Sequence, residues 1–332
     1  MLPVSVVIPA RNEAANIGRL LASIQGQTQP PAEVIVVDGG STDLTAEIAE
    51  AHGARVLRVD RAYPGQARNV GAAHASYPFL AFWDAGMWVA PTCLEHLVTP
   101  LLQNQADLVQ GHLQICPQTL PSQLTFLVLM PPYTHQIGGQ LFYAPPVACT
   151  AFPKALWEAV GGFRPWRARE DSDFRQRIEA LGIRVHFEPQ AITYWEPAES
   201  FRSLLQKVRL YGRHNLLSGK PQDWYGGLLR VYGFYAALTV GAVTWGGAWG
   251  TLAFPLLMLG GGAFRTLRRV WRFGRYLRPQ LIRPPEHPLT LLHATALLLA
   301  TDLASFAGLL DWLLKDRLRL NPETFPEPRL LT

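Results

Sequence analysis

Short apolar runs alternate with helix-like stretches through the first part of the chain. Four runs are rich in β-branched or aromatic residues and have the length of buried strands: residues 4–8, 34–37, 55–59 and 79–83. Apolar residues recur at helical spacing between them: residues 14–24, 41–51 and 66–75. Ser41 or Thr42 would cap the second helix. Strands that alternate with helices predict βαβ units, so we expect a mostly parallel sheet flanked by helices.

The pattern is less regular between residues 92 and 217. It predicts further helices and two further strands, with helices at residues 92–104, 154–160, 170–181 and 204–217 and strands at residues 107–115 and 184–187. Residues 119–146 are rich in proline, glycine and aromatic residues. For them we predict an irregular segment that is mobile or faces substrate.

The chain becomes strongly apolar after residue 230. No charged residue occurs from Val231 to Phe264, and these 34 positions exceed the ~20 residues that span a bilayer. A second apolar run, residues 289–314, is interrupted by Asp302 and Asp311. The two runs predict a membrane-associated helical region, and a soluble helical domain is the alternative.

The charge between the two apolar runs restricts how they would meet a membrane. Residues 265–283 contain seven arginines and no acid: Arg265, Arg268, Arg269, Arg272, Arg275, Arg278 and Arg283. If residues 231–264 crossed once and the N-terminal region were cytoplasmic, these arginines would lie outside, against the positive-inside tendency. Either residues 231–264 turn back at Gly246-Gly247, or both runs lie in the interface with the arginines on lipid head groups. We expect the arginines and the N-terminal region on the cytoplasmic face and leave the number of crossings open.

Composition argues against several classes of function. The net charge is +5, but its surplus lies in the arginine segment, which favours anionic lipid over nucleic acid. No zinc-finger spacing or ribonucleoprotein motif occurs in the sequence. The three cysteines, Cys93, Cys116 and Cys149, are far apart, which argues against a disulfide scaffold or a zinc site.

Polar clusters follow the apolar runs at the ends of the predicted strands. Pro9–Glu13 follows the first strand, Asp38–Asp43 the second and Asp84 the fourth. Ligands of open parallel sheets bind at the carboxyl ends of the strands, so we expect these clusters to share one edge. We expect Gly65–Asn69 and Glu170-Asp171 to join them there.

Four motifs in this order resemble those of family 2 glycosyltransferases with the GT-A fold. They occupy residues 5–13, 36–43, 67–71, and 161–163 with 169–171. The resemblance covers about residues 3–215. It implies an α/β GT-A domain, with a mostly parallel sheet flanked by helices, and the apolar runs predict a helical membrane region after that domain. The predicted division is a nucleotide-sugar-binding half at residues 1–118, an acceptor-binding and catalytic half at residues 119–225, and a membrane-associated helical region at residues 226–332.

The implied activity is sugar transfer from a nucleotide-diphosphate donor, with a UDP-sugar favoured, to a hydroxyl group with inversion. The acceptor would be lipid-linked or a cell-envelope glycan, because the apolar region would hold the site at a membrane. A degenerate family member that binds nucleotide or glycan and scaffolds other membrane proteins is the alternative. A Rossmann oxidoreductase is disfavoured, because the first turn lacks G-x-G-x-x-G.

The resemblance assigns eight residues to nucleotide binding: Pro9, Ala10, Arg11, Glu13, Asp38, Gly40, Arg68 and Asp84. Asp38 would accept a hydrogen bond from the N3–H of a uracil-like base, since a carboxylate is acceptor-only; otherwise it caps the next helix. Glu13 would contact the base or ribose, or be an ordinary first-turn helix acid. Arg68 would contact the diphosphate or ribose, or form a surface salt bridge.

The metal site that the resemblance implies is incomplete in this sequence. Asp84 matches the first acid of the family's D-x-D motif, whose second acid holds Mn²⁺ or Mg²⁺, but Gly86 replaces that acid. A hard divalent cation prefers several oxygen ligands, so Asp84 with phosphates and water is a weak site. Asp84 would bind the metal alone or contact the ribose, and metal dependence stays open.

Asp171 is the implied catalytic base and Glu170 its neighbour. In inverting transfer, a carboxylate removes the proton of the acceptor hydroxyl as that oxygen attacks the anomeric carbon. Glu170 could raise the pKa of Asp171 through like charge, and Asp173 is the second candidate for the base. The alternative is that these acids only begin a helix, where negative charge is favoured.

A basic helix is predicted to act on the leaving group. Gln206-Lys207-Val208-Arg209-Leu210 resembles the Q-x-x-R-W motif of processive synthases, although Leu210 replaces the tryptophan. Arg209 and Arg213 could stabilise the departing diphosphate, or the helix could lie on lipid. Trp195 could stack on a sugar ring, although core packing is the commoner explanation.

Overall fold

The protein forms two units, each assembled from separate stretches of chain. The computed structural model describes residues 1–129, 134–137, 140–197, 200–277, 284, 286–319 and 324–331. A sheet unit contains residues 1–116, 132–196 and 324–332, and a helical unit contains residues 117–131 and 197–323. This division differs from the three consecutive regions predicted at residues 1–118, 119–225 and 226–332. Residues 117–131 group with the later helices, and the C-terminal segment returns to the sheet unit.

The sheet unit is built on a mixed eight-stranded sheet. Its first four strands in sequence are β1 (Leu2–Ala10), β2 (Pro31–Asp38), β3 (Arg55–Arg58) and β4 (Phe79–Phe82). The others are β5 (Met87–Val89), β6 (Leu108–Ile115), β9 (Thr150–Pro153) and β10 (Val185–Trp195), while β7 (Thr134–Ile137) and β8 (Gln140–Tyr143) form a separate hairpin. The order across the sheet is β3-β2-β1-β4-β9-β6-β10-β5.

The two halves of the sheet differ in strand direction. Strands β3, β2, β1 and β4 are parallel to one another. Strand β9 is antiparallel to both β4 and β6, β10 is parallel to β6, and β5 is antiparallel to β10. The parallel half therefore presents the carboxyl ends of β2, β1 and β4 side by side, as the alternating pattern predicted.

Several predicted elements need correction. Residues 119–146, predicted to be irregular, contain helix α5 (Leu120–Leu129) and the β7–β8 hairpin. Strands β5 and β9 were not predicted, because three or four residues of a buried edge or antiparallel strand carry no clear periodicity. Strand β10 continues to Trp195, well beyond the predicted end at residue 187.

The first two helices begin later than predicted. Helix α1 (Ile17–Gln25) begins three residues after the predicted Ala14. Helix α2 (Thr45–Ala51) begins at Thr45, so the prediction that Ser41 or Thr42 caps it is wrong. The Ser41 hydroxyl instead donates to Asp38 and accepts from the backbone N–H of Asn12.

Two glycines allow helix α3 (Pro64–His74) to lie very close to its neighbours. A Cβ atom at Gly71 would lie 2.4 Å from a methyl group of Val7 in β1. A Cβ atom at Gly65 would lie 2.5 Å from the carbonyl oxygen of Arg164 and 2.8 Å from Cγ of Glu170. Helix α3 is therefore held between the sheet and helix α7 (Glu170–Glu179).

The remaining helices of the sheet unit are α4 (Cys93–Leu102) and α6 (Lys154–Ala159). Buried phenylalanines pack beneath α3 and α7, and Phe163 stacks on Phe174 with ring centroids 3.9 Å apart. Residues 324–331 return along β3: Asp60 N donates to Arg329 O, and Gln66 Nε2 donates to Pro326 O. The C-terminal segment thus supports the loop before α3.

The helical unit is organised around α11 (Pro288–Asp311), which is followed by a π-helical turn (Trp312–Arg317). Its other helices are α5, α8 (Phe201–Leu217), α9 (Gln222–Gly246) and α10 (Ala253–Leu277), and a 3₁₀ turn (Gly247–Leu252) joins α9 to α10. Apolar residues of α5, α8 and α11 form its core. The predicted arginines Arg278 and Arg283 lie outside the described residues.

Two helices of the described chain are long and apolar enough to cross a membrane. The most apolar stretch of Gln222–Gly246 contains no buried residue. In Pro288–Arg317, a third of the most apolar stretch is buried. The acids of α11 are paired within the unit, Asp302 with Arg265 and Asp311 with Arg209. Helix α11 is thus a core helix of this unit, while α9 is the more exposed of the two.

Candidate functional site

Arg68 links two predicted acidic residues at the carboxyl edge of the parallel strands. Its side chain is 5% exposed, and its two terminal nitrogens donate to different carboxylates. One bonds Glu170 at 2.8 Å and the other bonds Asp84 at 2.7 Å. Asp84 follows β4, and Glu170 is the first residue of α7. The alternative of a surface salt bridge does not describe Arg68, because its own side chain and that of Glu170 are buried and only Asp84 is partly exposed.

Close packing positions Arg68 between these acids. Gly65, one turn earlier on α3, allows the helix to contact Glu170 directly. The guanidinium lies over the ring of Phe163, 5.6 Å from its centroid. The fork of an arginine can serve two acceptors at fixed angles, which a lysine cannot do. Arg68 thereby fixes the start of α7 relative to the end of β4.

The cluster perturbs the titration of its members. Burial raises the pKa of Glu170 to about 7, the like charge of Asp171 raises it further, and the charge and hydrogen bond of Arg68 oppose the change. Burial also raises the pKa of Asp171, although Arg68 and the backbone N–H of Ser172 oppose the change. Burial alone would lower the pKa of Arg68, but Asp84, Glu170 and Asp171 raise it. A cationic side chain thus lies among three carboxylates, two of which hold protons more tightly than usual.

The residue before this acidic pair has an unusual backbone. Arg169 has a φ of 69°, in the left-handed region that side chains with a Cβ rarely adopt. Such strain persists only where surrounding contacts enforce it and is frequent at functional sites. Asp171 follows as the second residue of α7, is partly exposed and accepts a hydrogen bond from Ser172 N at 2.6 Å.

The loops that follow β1 and β2 are joined by side-chain hydrogen bonds. Asp38 is buried, and its carboxylate accepts from the backbone N–H of Ser41 at 3.0 Å and from the Ser41 hydroxyl. Asn12 accepts from Thr42 N at 2.8 Å. Asp43 accepts from Ala14 N and from Thr45 Oγ1. The sequence alone assigned no role to Asn12 and Asp43 and only a helix cap to Ser41, although all three lie in the motifs, because these contacts depend on the pairing of β1 with β2.

The other predicted nucleotide-binding residues lie in the same two loops. Pro9 and Ala10 end β1, Ala10 is paired with Asp38, and Gly39 N donates to Ala10 O at 2.9 Å. Gly40 has a φ of +80°, and a Cβ atom there would lie 2.5 Å from Asp60 O. Arg11 is exposed. The Glu13 carboxylate accepts from Asn16 and its N–H donates to Thr45, which fixes the residue at the rim of the loop.

The surroundings of Asp84 do not form a preformed metal site. Its side chain is 44% exposed and bonded to Arg68. In the part of the chain that the structure describes, no group of three His, Cys, Asp or Glu residues could hold a metal ion. A Cβ atom at Gly86 would have no neighbour within 4 Å, so steric crowding does not account for the glycine. The residues present do not by themselves fit Mn²⁺ or Mg²⁺.

Trp195 lies next to the turn that contains Asp84. It is paired with Met87 across the β10–β5 ladder, and Met87 N donates to Asp84 O at 3.1 Å. Trp83, just before Asp84, is buried and donates to Thr193 in β10 at 2.8 Å. Trp195 is partly exposed, so its indole stands at this edge of the sheet.

The three predicted residues of the basic helix lie in α8 of the helical unit. Arg209 forms a bidentate ion pair with Asp311, at 2.5 and 2.8 Å, and Arg213 forms one with Asp316, at 2.7 and 2.8 Å. Gln206 is exposed on the same helix. Both guanidiniums therefore have carboxylate partners inside their own unit, and their predicted role with the leaving group stays a prediction.

Comparison with known proteins identifies the domain. The family model for glycosyl transferase family 2 matches residues 5–138. The glycosyltransferase AglE of Haloferax volcanii is 37% identical over 119 residues, which cover 33% of this chain and 39% of that protein. A 4,4'-diaponeurosporenoate glycosyltransferase of Staphylococcus aureus is 43% identical over 120 residues, which cover 34% of this chain and 31% of that protein. The chain thus spans about a third of the length of these relatives.

Solved structures share the fold over more of the chain. The mannosyltransferase PcManGT of Pyrobaculum calidifontis matches with a TM-score of 0.56 and 18% identity, covering 95% of this chain and 88% of that chain. The glucosyl-3-phosphoglycerate synthase of Mycobacterium tuberculosis matches with a TM-score of 0.50 and 26% identity, covering 65% of this chain and 78% of that chain. The predicted α/β fold with long C-terminal helices is confirmed. Residues 5–138 therefore match a family 2 glycosyltransferase domain, and the chain has a GT-A-like fold.

Proposed function

We propose that the protein transfers a sugar from a nucleotide-diphosphate donor to a hydroxyl acceptor with inversion, at the cytoplasmic face of a membrane. The observation that carries this proposal is the buried Arg68 that bridges Asp84 and Glu170, with Asp171 beside them. Perturbed acids at the carboxyl edge of parallel strands are typical of an active site in an open α/β sheet.

The donor would lie along the loops that follow β1, β2 and β4. Asp38 would accept the imide N–H of a uracil base, and Pro9 and Ala10 would frame the base with Glu13 and Gly40 at the rim. A UDP donor is favoured because the Mycobacterium tuberculosis relative, at 26% identity, was solved with uridine diphosphate. That relative also held Mn²⁺; here Asp84 would be the protein's one carboxylate ligand, and the donor diphosphate would have to supply others.

Asp171 would act as the base. Its carboxylate removes the proton of the acceptor hydroxyl while the oxygen attacks the anomeric carbon, and the diphosphate leaves from the opposite face with the electrons of the broken C–O bond. Burial raises the pKa of Asp171, which makes its carboxylate a stronger base. Arg68 holds Glu170 in place beside it. Trp195 would support the sugar, and Arg209, Arg213 and Gln206 would act on the leaving group or acceptor.

The acceptor would be a lipid or a lipid-linked glycan. The two apolar helices support this assignment, because the most apolar stretch of Gln222–Gly246 contains no buried residue. Arg268 of α10, which is exposed, would contact anionic head groups. Membrane attachment would then keep the site close to acceptors that are confined to the bilayer.

Donor turnover by the detergent-purified protein tests this function. A panel of nucleotide sugars is incubated with and without Mn²⁺ or Mg²⁺, and release of the nucleoside diphosphate is measured. We expect Asp171→Asn to abolish turnover but to keep donor binding. Glu179→Gln is the matched control, since Glu179 ends the same helix and is half exposed. NMR of the product should show an inverted anomeric carbon.

Two results would contradict the proposal. If Asp171→Asn kept full turnover, the base would lie elsewhere, with Asp173 as the next candidate. The second result is a wild-type protein that binds nucleotide but turns over no donor in the presence of membrane lipid acceptors. It would favour the alternative of a nucleotide- or glycan-binding scaffold, which Gly86 and Leu210 motivate.

A further inference from the structure

Helices α9 and α10 form an antiparallel hairpin that the proposed sugar transfer does not explain. Helix α9 ends at Gly246, and Gly247 has a φ of 60° that reverses the chain. A Cβ atom at Gly261 in α10 would collide with the hydroxyl of Tyr235 in α9. Nearer the tip, Ala242 and Ala253 line the same groove between the helices. The two helices are therefore in contact along their length, in an antiparallel register.

Charged residues mark the base of this hairpin. The pairing of Tyr235 with Gly261 places Arg230 level with Arg265, and these are the charged residues that flank the uncharged stretch from Val231 to Phe264. Arg265 forms an ion pair with Asp302 of α11, and the hydroxyl of Tyr232 donates to the same carboxylate at 2.9 Å. The base is thus anchored to the core helix of the unit by charged groups, and everything beyond it is uncharged.

The exposed surface of the hairpin is apolar on opposite sides. Phe234 is 60% exposed and Val243 is 38% exposed, and at about 100° per residue they point in opposite directions from α9. A helix that lies flat in the membrane interface needs one polar face. A helix that is apolar all round is instead suited to burial in a protein core or in hydrocarbon. The first half of the hairpin therefore does not fit an interfacial position.

The length of the hairpin matches the thickness of a bilayer. From Arg230 to Gly247 the helix rises about 26 Å at 1.5 Å per residue, and the hydrocarbon core is about 30 Å thick. Two tryptophans stand at the tip, where Trp245 is 95% exposed and Trp249 is 81% exposed. Tryptophan is enriched at the level of the lipid head groups.

We propose that residues 231–264 enter the bilayer as a closed helical hairpin and return to the same face. Trp245 and Trp249 lie near the head groups of the far leaflet. Arg230 and Arg268 stay at the face of entry against lipid phosphates, and Arg265 stays there paired with Asp302. This topology rests on the proposed membrane association and deepens it. It also removes the conflict with the positive-inside tendency, because an even number of passes keeps the arginines on the side where the chain enters.

Four single-cysteine variants of the full chain test the topology. Leu229→Cys and Leu267→Cys lie at the two sides of the base, Val240→Cys lies at mid-height and Leu252→Cys lies near the tip, and all four replace exposed side chains. Cys116→Ser provides the background, since Cys93 and Cys149 are buried. Each variant is labelled with an environment-sensitive dye and inserted from outside into sealed vesicles of phosphatidylcholine and phosphatidylglycerol.

The expected result is a distinct pattern of accessibility and depth. A membrane-impermeant reagent added outside should reach the dye at both base positions and neither of the other two. Lipids brominated near the chain end should quench the dye at residue 240 most strongly. The dye at residue 252 should be quenched by lipids brominated near the head group, yet remain shielded from the outer reagent.

Three outcomes would overturn the proposal. Opposite sidedness of residues 229 and 267 would indicate a single crossing. Shallow quenching at all four positions would indicate a hairpin that lies in the interface. Access to all four dyes without quenching would indicate no insertion. Donor turnover is measured separately, so a confirmed topology without turnover would count against the proposed reaction and not against the hairpin.

Discussion

Arg68→Met is the substitution that most directly probes the charge balance of the site. Arg68 bonds Glu170 at 2.8 Å, and both side chains are almost completely buried. Methionine keeps an apolar side chain of similar length but leaves Glu170 without its counter-ion. Removal of one partner from a buried ion pair is strongly destabilising unless the remaining group can become neutral.

The magnitude depends on pH because Glu170 can take up a proton. The pKa of Glu170 in the folded protein is about 7, above its value in the unfolded chain. The ionisation of Glu170 therefore lowers the free energy of unfolding as pH rises from the ordinary carboxylate range to about 7. Above about pH 7 this free energy falls no further on account of Glu170. At ~4 Å and an effective dielectric constant of ~20, the charge of Arg68 contributes about 4 kcal/mol. Without it the pKa of Glu170 would rise by about three further units.

The variant should therefore lose stability progressively as pH rises. At about pH 6 both proteins hold Glu170 neutral, so the part of the stability difference that comes from Glu170 should be near zero; the lost ion pair with Asp84 adds a loss that is the same at both pH values. Above the wild-type pKa, each further pH unit adds about 1.4 kcal/mol, so the difference should approach 3 kcal/mol at about pH 9. For a unit of this size, this corresponds to a fall in Tm of about 5–10 °C.

Thermal unfolding of both proteins in detergent at the two pH values measures this difference. Arg164→Met is the matched control, because Arg164 is exposed and 3.9 Å from Asp173, and exposed pairs contribute less than about 1 kcal/mol. An equal fall in Tm at both pH values would show that Arg68 stabilises the fold through packing or through Asp84 and not through Glu170. No fall at the higher pH would refute an ionised, buried Glu170.

Three other predictions concern the remaining parts of the site. Gly86→Asp should fold, because the position is open, and should bind Mn²⁺ more tightly with UDP in calorimetry; unchanged affinity would place residue 86 away from the diphosphate. Asp84→Asn removes a negative charge that raises the pKa of Asp171. The acid limb of the kcat–pH profile should therefore move to lower pH. If the acid limb does not move, Asp171 is not the base. Asn12→Ala should lower the free energy of unfolding by about 1 kcal/mol, because the hydrogen bond from Thr42 N is lost. It should lower it further because alanine adopts a φ of 55° less readily than asparagine. Asn12→Gly should regain the stability that alanine loses through φ, but not the stability lost with the hydrogen bond. An equal fall in the free energy of unfolding in both variants would contradict this separation.

The sequence alone identified those residues of the site that lie just after a predicted strand. Asp38 and Asp84 follow β-branched or aromatic runs that can only be buried, and the parallel order of those strands places both residues at one edge. Asp171 was found through the family resemblance and lies at the start of a helix, as the pattern of acids indicated. Local sequence carries these features because periodicity and the end of an apolar run are local properties.

Other features of the site depend on contacts between distant segments. Arg68 meets Glu170 across 102 positions of sequence, and nothing in either segment distinguishes this buried pair from a surface one. Asn12 and Thr42 meet only because β1 pairs with β2. Strands β5 and β9 are too short to show a period, and their assignment depends on the strands beside them.

The sequence by itself determined the alternation of strands and helices, the polar edge of the parallel strands and the uncharged stretch from Val231 to Phe264. Tertiary structure alone decided the titration of Glu170, the pairing of Arg209 with Asp311 and the hairpin with its base at Arg265. The physical reason is the range of the interactions. Hydrophobic periodicity is written into neighbouring residues, whereas burial and ion pairing depend on which remote segments the fold brings together.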